Sequence, residues 1–218
     1  FCEETLKLAL ENLRPDHYQT ATAYANIGGI YFVENKLEEA LVFFQKNLTI
    51  CLRNPVPNLL HTITAHYFIG STHLQSHRYK KALESCESIT FLLSQLEEKE
   101  QPAIIKAYLL LGNTYLLGAN PKMAFKYLQL GLQLSLRIYK REHLVIAAFH
   151  SNIGNVFFLR GDYSMSLEYQ RKSLHVRLKL LPENHPHIIF SYGSVANCYT
   201  KLFDKENSIN EMKHTFGC

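Results

Sequence analysis

Five small residues set the period of this chain. Gly28, Gly70, Gly112, Gly154 and Ala196 stand 42 residues apart with no insertion between them. Neighbouring columns keep the same step. Ile27, Ile69, Leu111, Ile153 and Val195 come one residue before, and Tyr31, His73, Tyr115, Phe157 and Tyr199 come three after. Twelve residues after each small residue stand Ala40, Ala82, Ala124, Ser166 and Ser208. Two segments, NIGGIYF at 26–32 and NIGNVFF at 152–158, carry the unit almost unaltered across three periods. A unit repeated in this way specifies a stack, because one unit cannot bury its apolar face without a neighbour.

Each period reads as two helices. TATAYANIGGIYFVEN and KLEEALVFFQKNLTICL both place apolar residues at helical spacing, with a short polar turn between them. The prolines fall between periods (Pro15, Pro55, Pro57, Pro102, Pro182, Pro186) or at an inner turn (Pro121), and none interrupts a helix interior, where it would remove a hydrogen bond and clash. The small columns let the two helices of a pair approach, and a bulky residue at Ala40 or Ala124 would overpack the seam at a cost of ~1–3 kcal/mol. The spacing predicts one array over 1–218. Residues 1–13 form the tail of an earlier second helix, and repeats follow at 18–55, 59–99, 102–140, 144–181 and 186–218. The last is the weakest, with Ala196 in the glycine column and FDKEN as a poor turn.

Tyr24, Ile27, Gly28 and Tyr31 followed by Ala40 and Phe44, and again Tyr108, Leu111, Gly112 and Tyr115 followed by Ala124, resemble the tetratricopeptide repeat (TPR) pattern. The usual TPR period is ~34 residues and that of HEAT or armadillo repeats ~40–47. The Gly/Tyr/Ala pattern favours TPR, with the additional residues lengthening the helices. Units of this length, with joints such as LRPDHYQTATAY and LPENHPHIIFSY, look like the TPRs of kinesin light chains. The resemblance implies an all-α fold: a right-handed α-solenoid, or TPR superhelix, of stacked antiparallel helix pairs, with a concave face lined by the first helix of each pair.

In that register the column after the glycines faces the concavity. It reads Gly29, Ser71, Asn113, Asn155 and Asn197. A carboxamide offers both a donor and an acceptor, so a row of them suits the N–H and C=O groups of an extended peptide. Asparagine is also a mediocre helix former with no local reason to recur in mid-helix. Related TPR adaptors hold peptides in this way. The expected peptide-binding residues are Asn113, Asn155 and Asn197, supported by Asn152, Asn26, Lys106, Tyr67 and Phe158. Chaperone-binding TPRs clamp a terminal carboxylate with a lysine one turn before the ladder. Here those positions hold Ala25, Tyr67, Leu109, Ser151 and Gly193, so an Hsp70 or Hsp90 tail is not the expected ligand.

The remaining motifs point away from chemistry. No GxSxG, phosphate-cradling loop or dinucleotide fingerprint occurs, so no catalytic residue and no cofactor are expected. His17, His143 and His185 share one phase of the repeat, too far apart to share one metal ion, and neither an HExxH motif nor a cysteine cluster appears, so no metal site is expected. His66 and His73 occupy aromatic columns and read as hydrogen-bonded packing residues. RGD at 160–162 reads as a turn rather than an adhesive loop, and NLT at 47–49 falls within a helix rather than on a glycosylated loop.

No apolar run reaches the ~18 residues of a membrane span. No secretory leader is visible, and the five cysteines are scattered and odd in number, which fits unpaired thiols in the cytoplasm. Residues 1–100 carry 9 Lys/Arg against 12 Asp/Glu, and residues 101–218 carry 14 against 7. Much of the positive charge falls on second helices and reads as a solvated outer face rather than a nucleic-acid surface. The expectation is a non-catalytic scaffold holding an extended peptide of a partner protein. The alternatives are a regulatory or targeting array attached to an enzyme outside this chain, or a kinesin-light-chain-like cargo adaptor.

Overall fold

A computed structural model describes residues 17–53, 58–96, 102–139 and 142–216, with side chains described to residue 204. The helical tail expected over 1–13 lies outside the described residues. Helices α1 (Tyr18–Val33), α2 (Leu37–Arg53), α3 (Leu59–Gln75), α4 (Tyr79–Ser94), α5 (Pro102–Leu117), α6 (Pro121–Ile138), α7 (Leu144–Leu159), α8 (Tyr163–Leu180) and α9 (Pro186–Phe216) follow in order. The described residues contain no strand. The second helices α2, α4, α6 and α8 each begin 42 residues after the last.

The same local chemistry starts and stops these helices. His17, His143 and His185, the histidines of one repeat phase, stand at the starts of α1, α7 and α9. The Nδ1 of each accepts a backbone N–H two residues on, from Gln19, Val145 and His187 at 3.2, 3.2 and 3.1 Å. These rings satisfy donors that a helix start leaves unpaired. Asn58, Asn120 and Asp162 do the same for α3, α6 and α8, at 3.2, 3.1 and 3.1 Å. At the other end, each inner turn contains one left-handed residue: Asn35 (φ 60°), His77 (φ 57°), Ala119 (φ 55°) and Gly161 (φ 76°). Around three of them the chain closes the same bond, from Lys36 N to Tyr31 O (2.8 Å), Arg78 N to His73 O (2.8 Å) and Asp162 N to Phe157 O (3.0 Å). This is the Schellman closure of a helix C-terminus, which pairs otherwise orphaned carbonyls and reverses the chain.

The chain divides into two compact units at Gly118 and Ala119, so the repeat expected over 102–140 contributes α5 to one unit and α6 to the other. In the first unit α1 pairs with α2 and α3 with α4, while α3 also packs against α2 and α5. Phe44 of α2 stacks on Phe68 of α3 with centroids 4.9 Å apart. In the second unit α7 packs on α6 and pairs with α8, and α9 packs on α8. Phe125 of α6 meets Phe157 of α7 edge-on at 5.5 Å.

The small columns act as expected at the seams, with one difference. Ala40, Ala82, Ala124 and Ser166 are fully buried at 0% exposure. The glycines, however, make room for side chains rather than for a bare backbone. A Cβ on Gly28 would sit 2.7 Å from the Phe44 ring, and one on Gly154 would sit 2.8 Å from Gln170 Nε2. Polar cross-ties repeat as well. Asn47 Nδ2 donates to Ala21 O and Ser173 Oγ to Ala147 O, both at 2.8 Å and three periods apart. Asn47 is therefore a buried structural residue, consistent with a helical rather than a glycosylated NLT.

The fifth pair is a departure from expectation. The sequence predicts a hairpin over 186–218, yet α9 runs as one helix from Pro186 to Phe216, straight through FDKEN. The left-handed column of Asn35, His77, Ala119 and Gly161 reaches Phe203 in this period, and a bulky side chain opposes that backbone conformation.

Candidate functional site

The residues expected to bind a peptide divide between the two units. In the first, Asn113 follows Gly112 on α5 and is half-buried. A cleft of about 250 Å³ opens beside it, walled by Tyr67, Ser71, Leu74 and Gln75 of α3 and by Lys106, Leu109 and Leu110 of α5. Three of the expected residues, Asn113, Lys106 and Tyr67, thus meet in one place, with Ser71 supplying the preceding rung of the column. The walls are mainly hydrocarbon with a few polar groups, the composition of a surface that can hold a chain through its backbone while packing on its side chains. Asn26 is exposed on α1, outside the lining of this cleft.

In the second unit Asn152, Asn155 and Phe158 are half-buried on α7, and Asn197 is exposed on α9. Phe158 lies edge-on to Tyr163 with centroids 5.2 Å apart. Asn155 is not a free carboxamide. Its Oδ1 accepts from Gln170 Nε2 at 2.8 Å. Gln170, only 1% exposed, also donates to Ser151 O at 3.1 Å and accepts from Ser151 Oγ at 3.3 Å. Ser151, groove-lining by its place in the repeat, is buried beneath this network at 4% exposure. The bond fixes the Asn155 amide so that its acceptor points inward and its N–H₂ is the group left to meet a ligand. Gln170 escapes a reading of the sequence for groove residues, although a signal exists: its column reads Phe44, Cys86, Leu128, Gln170, one amide after three apolar residues. Gln75 and Leu74 escape it as well, and they become visible only once α3 is placed beside α5.

Other candidates resolve into structure. His73 is buried as a packing residue, but its Nδ1 has no hydrogen-bond partner among the described residues, contrary to the expected bonded state. Burial holds the His66, His73 and His150 imidazoles below their ordinary range, His150 at about 4. Cys51, Cys86 and Cys198 are free and buried, and burial pushes the Cys86 thiol up to about 11. Among the described residues no cluster of His, Cys, Asp or Glu could hold a metal ion, and no helix is long and apolar enough to cross a membrane.

Much of the positive charge of the second half is engaged. Lys172 pairs with Glu168 and Lys179 with Glu142, both at 2.5 Å. Arg177, at 8% exposure, donates to Ser191 Oγ at 2.5 Å and His187 O at 3.3 Å, tying α8 to α9. Arg160 donates to Pro121 O at 3.0 Å while its guanidinium lies over Phe125. A second cleft, of about 580 Å³, lies along α8 beside Ser164, Leu167, Glu168, Arg171, Lys172 and His175.

The tetratricopeptide repeat profile matches residues 19–90, and a second profile of the same description matches 151–187, together half of the chain. The chain belongs to the tetratricopeptide repeat family. Solved structures agree on the fold. BtubC (BKLC) from P. vanneervenii superposes with a TM-score of 0.78 at 14% identity, over 93% of this chain and 80% of that one. Nearly identical TPR-like repeats of a putative kinesin light chain from Podosopora anserina give 0.70 at 13% identity, over 90% and 93%. A Rap protein complexed with competence and sporulation factor gives 0.68 at 12% identity, over 95% of this chain and 56% of that one. The fold of this TPR chain is an all-α solenoid of stacked helix pairs.

Proposed function

We propose that this TPR chain is a non-catalytic protein-interaction scaffold that holds an extended peptide segment of a partner protein on the face formed by the first helices. The cleft between α3 and α5 carries this reading, because it gathers Asn113, Lys106 and Tyr67 on a largely apolar floor. Asn113 offers a donor and an acceptor to a peptide backbone, and Lys106 adds a cation at the rim. Taken by itself, the second unit offers the Asn155 N–H₂, oriented by Gln170, as a donor for a peptide carbonyl. The Rap protein, a solenoid of similar fold, is complexed with competence and sporulation factor, which lends support by analogy.

A displayed library of unstructured peptides panned on this chain tests the reading. Enriched peptides should bind the wild type and lose ~0.5–1.5 kcal/mol on Asn113→Ala, the value of one hydrogen bond. Arg171→Ala, on the α8 surface, serves as the control and should change nothing. The reading fails if no peptide is enriched, or if calorimetry gives Asn113→Ala the affinity of wild type.

A further inference from the structure

Gln75 lines the cleft between α3 and α5 from the wall opposite Asn113. It is held there by a bond to another repeat. Its Nε2 donates at 3.1 Å to Oδ1 of Asn35, the left-handed residue of the turn between α1 and α2. Its Oε1 has no hydrogen-bond partner among the described residues. Both side chains are exposed, where water would serve them as well, so the bond adds little to the fold itself.

Stacking does not require this tie. Asn35 and Gln75 stand 40 residues apart, and the same two positions in the following repeats hold His77 with Leu117 and Ala119 with Leu159. Neither leucine side chain can make a hydrogen bond, yet α5 packs on α3 and α7 packs on α6. Val33, Leu117 and Leu159, which share the Gln75 column, are apolar and exposed. The glutamine is therefore a local departure, and it repeats a device seen at Asn155. There Gln170 engages the acceptor of a groove amide and leaves its N–H₂ outward. At Gln75 a donor is engaged and the acceptor is left.

We infer that Gln75 is a further peptide-binding residue, positioned by Asn35 so that its Oε1 accepts one backbone N–H of the bound segment; this rests on the groove reading proposed above. Asn35 belongs to the hairpin before α3, and Asn113 to the helix after it. The oxygen and nitrogen of a carboxamide diverge from one carbon, so the amide that gives its nitrogen to the first side turns its oxygen toward the second. Asn113, with a donor and an acceptor of its own, meets the segment from the facing wall. Two amides placed in this way hold a backbone without reading its side chains. They impose one sequence rule: the residue whose N–H meets Gln75 is not proline, which has no N–H to give.

The test is calorimetry with a peptide enriched on the wild type, remade with each backbone N–H in turn replaced by an ester oxygen. One ester, at the bond facing Gln75, should weaken binding about two- to tenfold, the worth of one hydrogen bond. Gln75→Leu, which copies Leu117 and Leu159, should weaken the parent peptide by the same factor and become indifferent to that ester. Gln75→Glu keeps an acceptor and should stay sensitive to it. Asn35→Gly keeps a residue at ease with φ 60° but releases Gln75, so its urea midpoint should hold while its affinity drops. If Asn113→Ala weakens binding while Gln75→Leu binds as wild type, or retains the ester penalty, the role of Gln75 is overturned and the groove reading stands. Asn35→Gly at wild-type affinity overturns the positioning role. If neither Asn113→Ala nor Gln75→Leu changes the affinity, the groove reading falls and takes the inference with it.

Discussion

A single buried amide decides how Asn155 behaves. Gln170 has two N–H groups, one given to Ser151 O and the other to Asn155 Oδ1. Asn155→Ala leaves one of them unpaired in a site of 1% exposure, so this variant should lose stability as well as affinity, by ~1 kcal/mol in a urea titration. Asn155→Asp keeps an acceptor for Gln170 and removes the outward N–H₂. It should unfold near the wild-type midpoint and still bind peptide more weakly, which separates the two roles. His150 offers a second residue-level test. Burial, helped by Lys172 of α8, holds its imidazole at about 4. The folded value lies below the ordinary ~6.5, so the stability this ring contributes is complete above ~6.5 and is lost as pH falls from there toward 4. His150→Phe should show a flatter decline in urea midpoint over that window than wild type, and equal slopes would contradict the assignment.

Among the elements, the turns are the most informative. Each inner reversal depends on one left-handed residue, and the four described ones differ in how well they tolerate it. Gly161 does so without strain, Asn35 and His77 tolerably, and Ala119 poorly. Ala119→Gly should therefore stabilise its turn by ~0.5–1 kcal/mol, read as a raised urea midpoint, whereas Gly161→Ala should lower it. The helices themselves are legible from Gly28, Ala40 and their columns, because a seam between two helices leaves a small residue at each crossing. The caps are half legible. The shared phase of His17, His143 and His185 is plain, but an imidazole that accepts from a backbone N–H leaves the same sequence trace as one that packs. The continuity of α9 is not legible, although FDKEN stands out as a poor turn. It becomes intelligible only when φ values show which of the turn positions carries the strain.

At the scale of the molecule, the period identifies the family, and the candidate site is legible as a column but not as a place. The recurrence of Asn113, Asn155 and Asn197 reflects a shared helix phase, and phase alone gives no sign that Asn113 stands in a cleft with Gln75 or that Asn155 is bonded from behind. Both depend on which helix lies alongside. That dependence bears on how a chain of look-alike units finds its partners. Units so similar invite mispairing, with α8 docking on the wrong first helix. The network that receives Gln170 needs Ser151 and Asn155 together, whereas the matching positions elsewhere are Ala25 with Gly29, Tyr67 with Ser71, and Leu109 with Asn113. Against α1, which offers only Ala25 and Gly29, the buried amide would keep a backbone carbonyl but lose both side-chain partners, so Gln170 works as a key that disfavours that otherwise plausible misassembly.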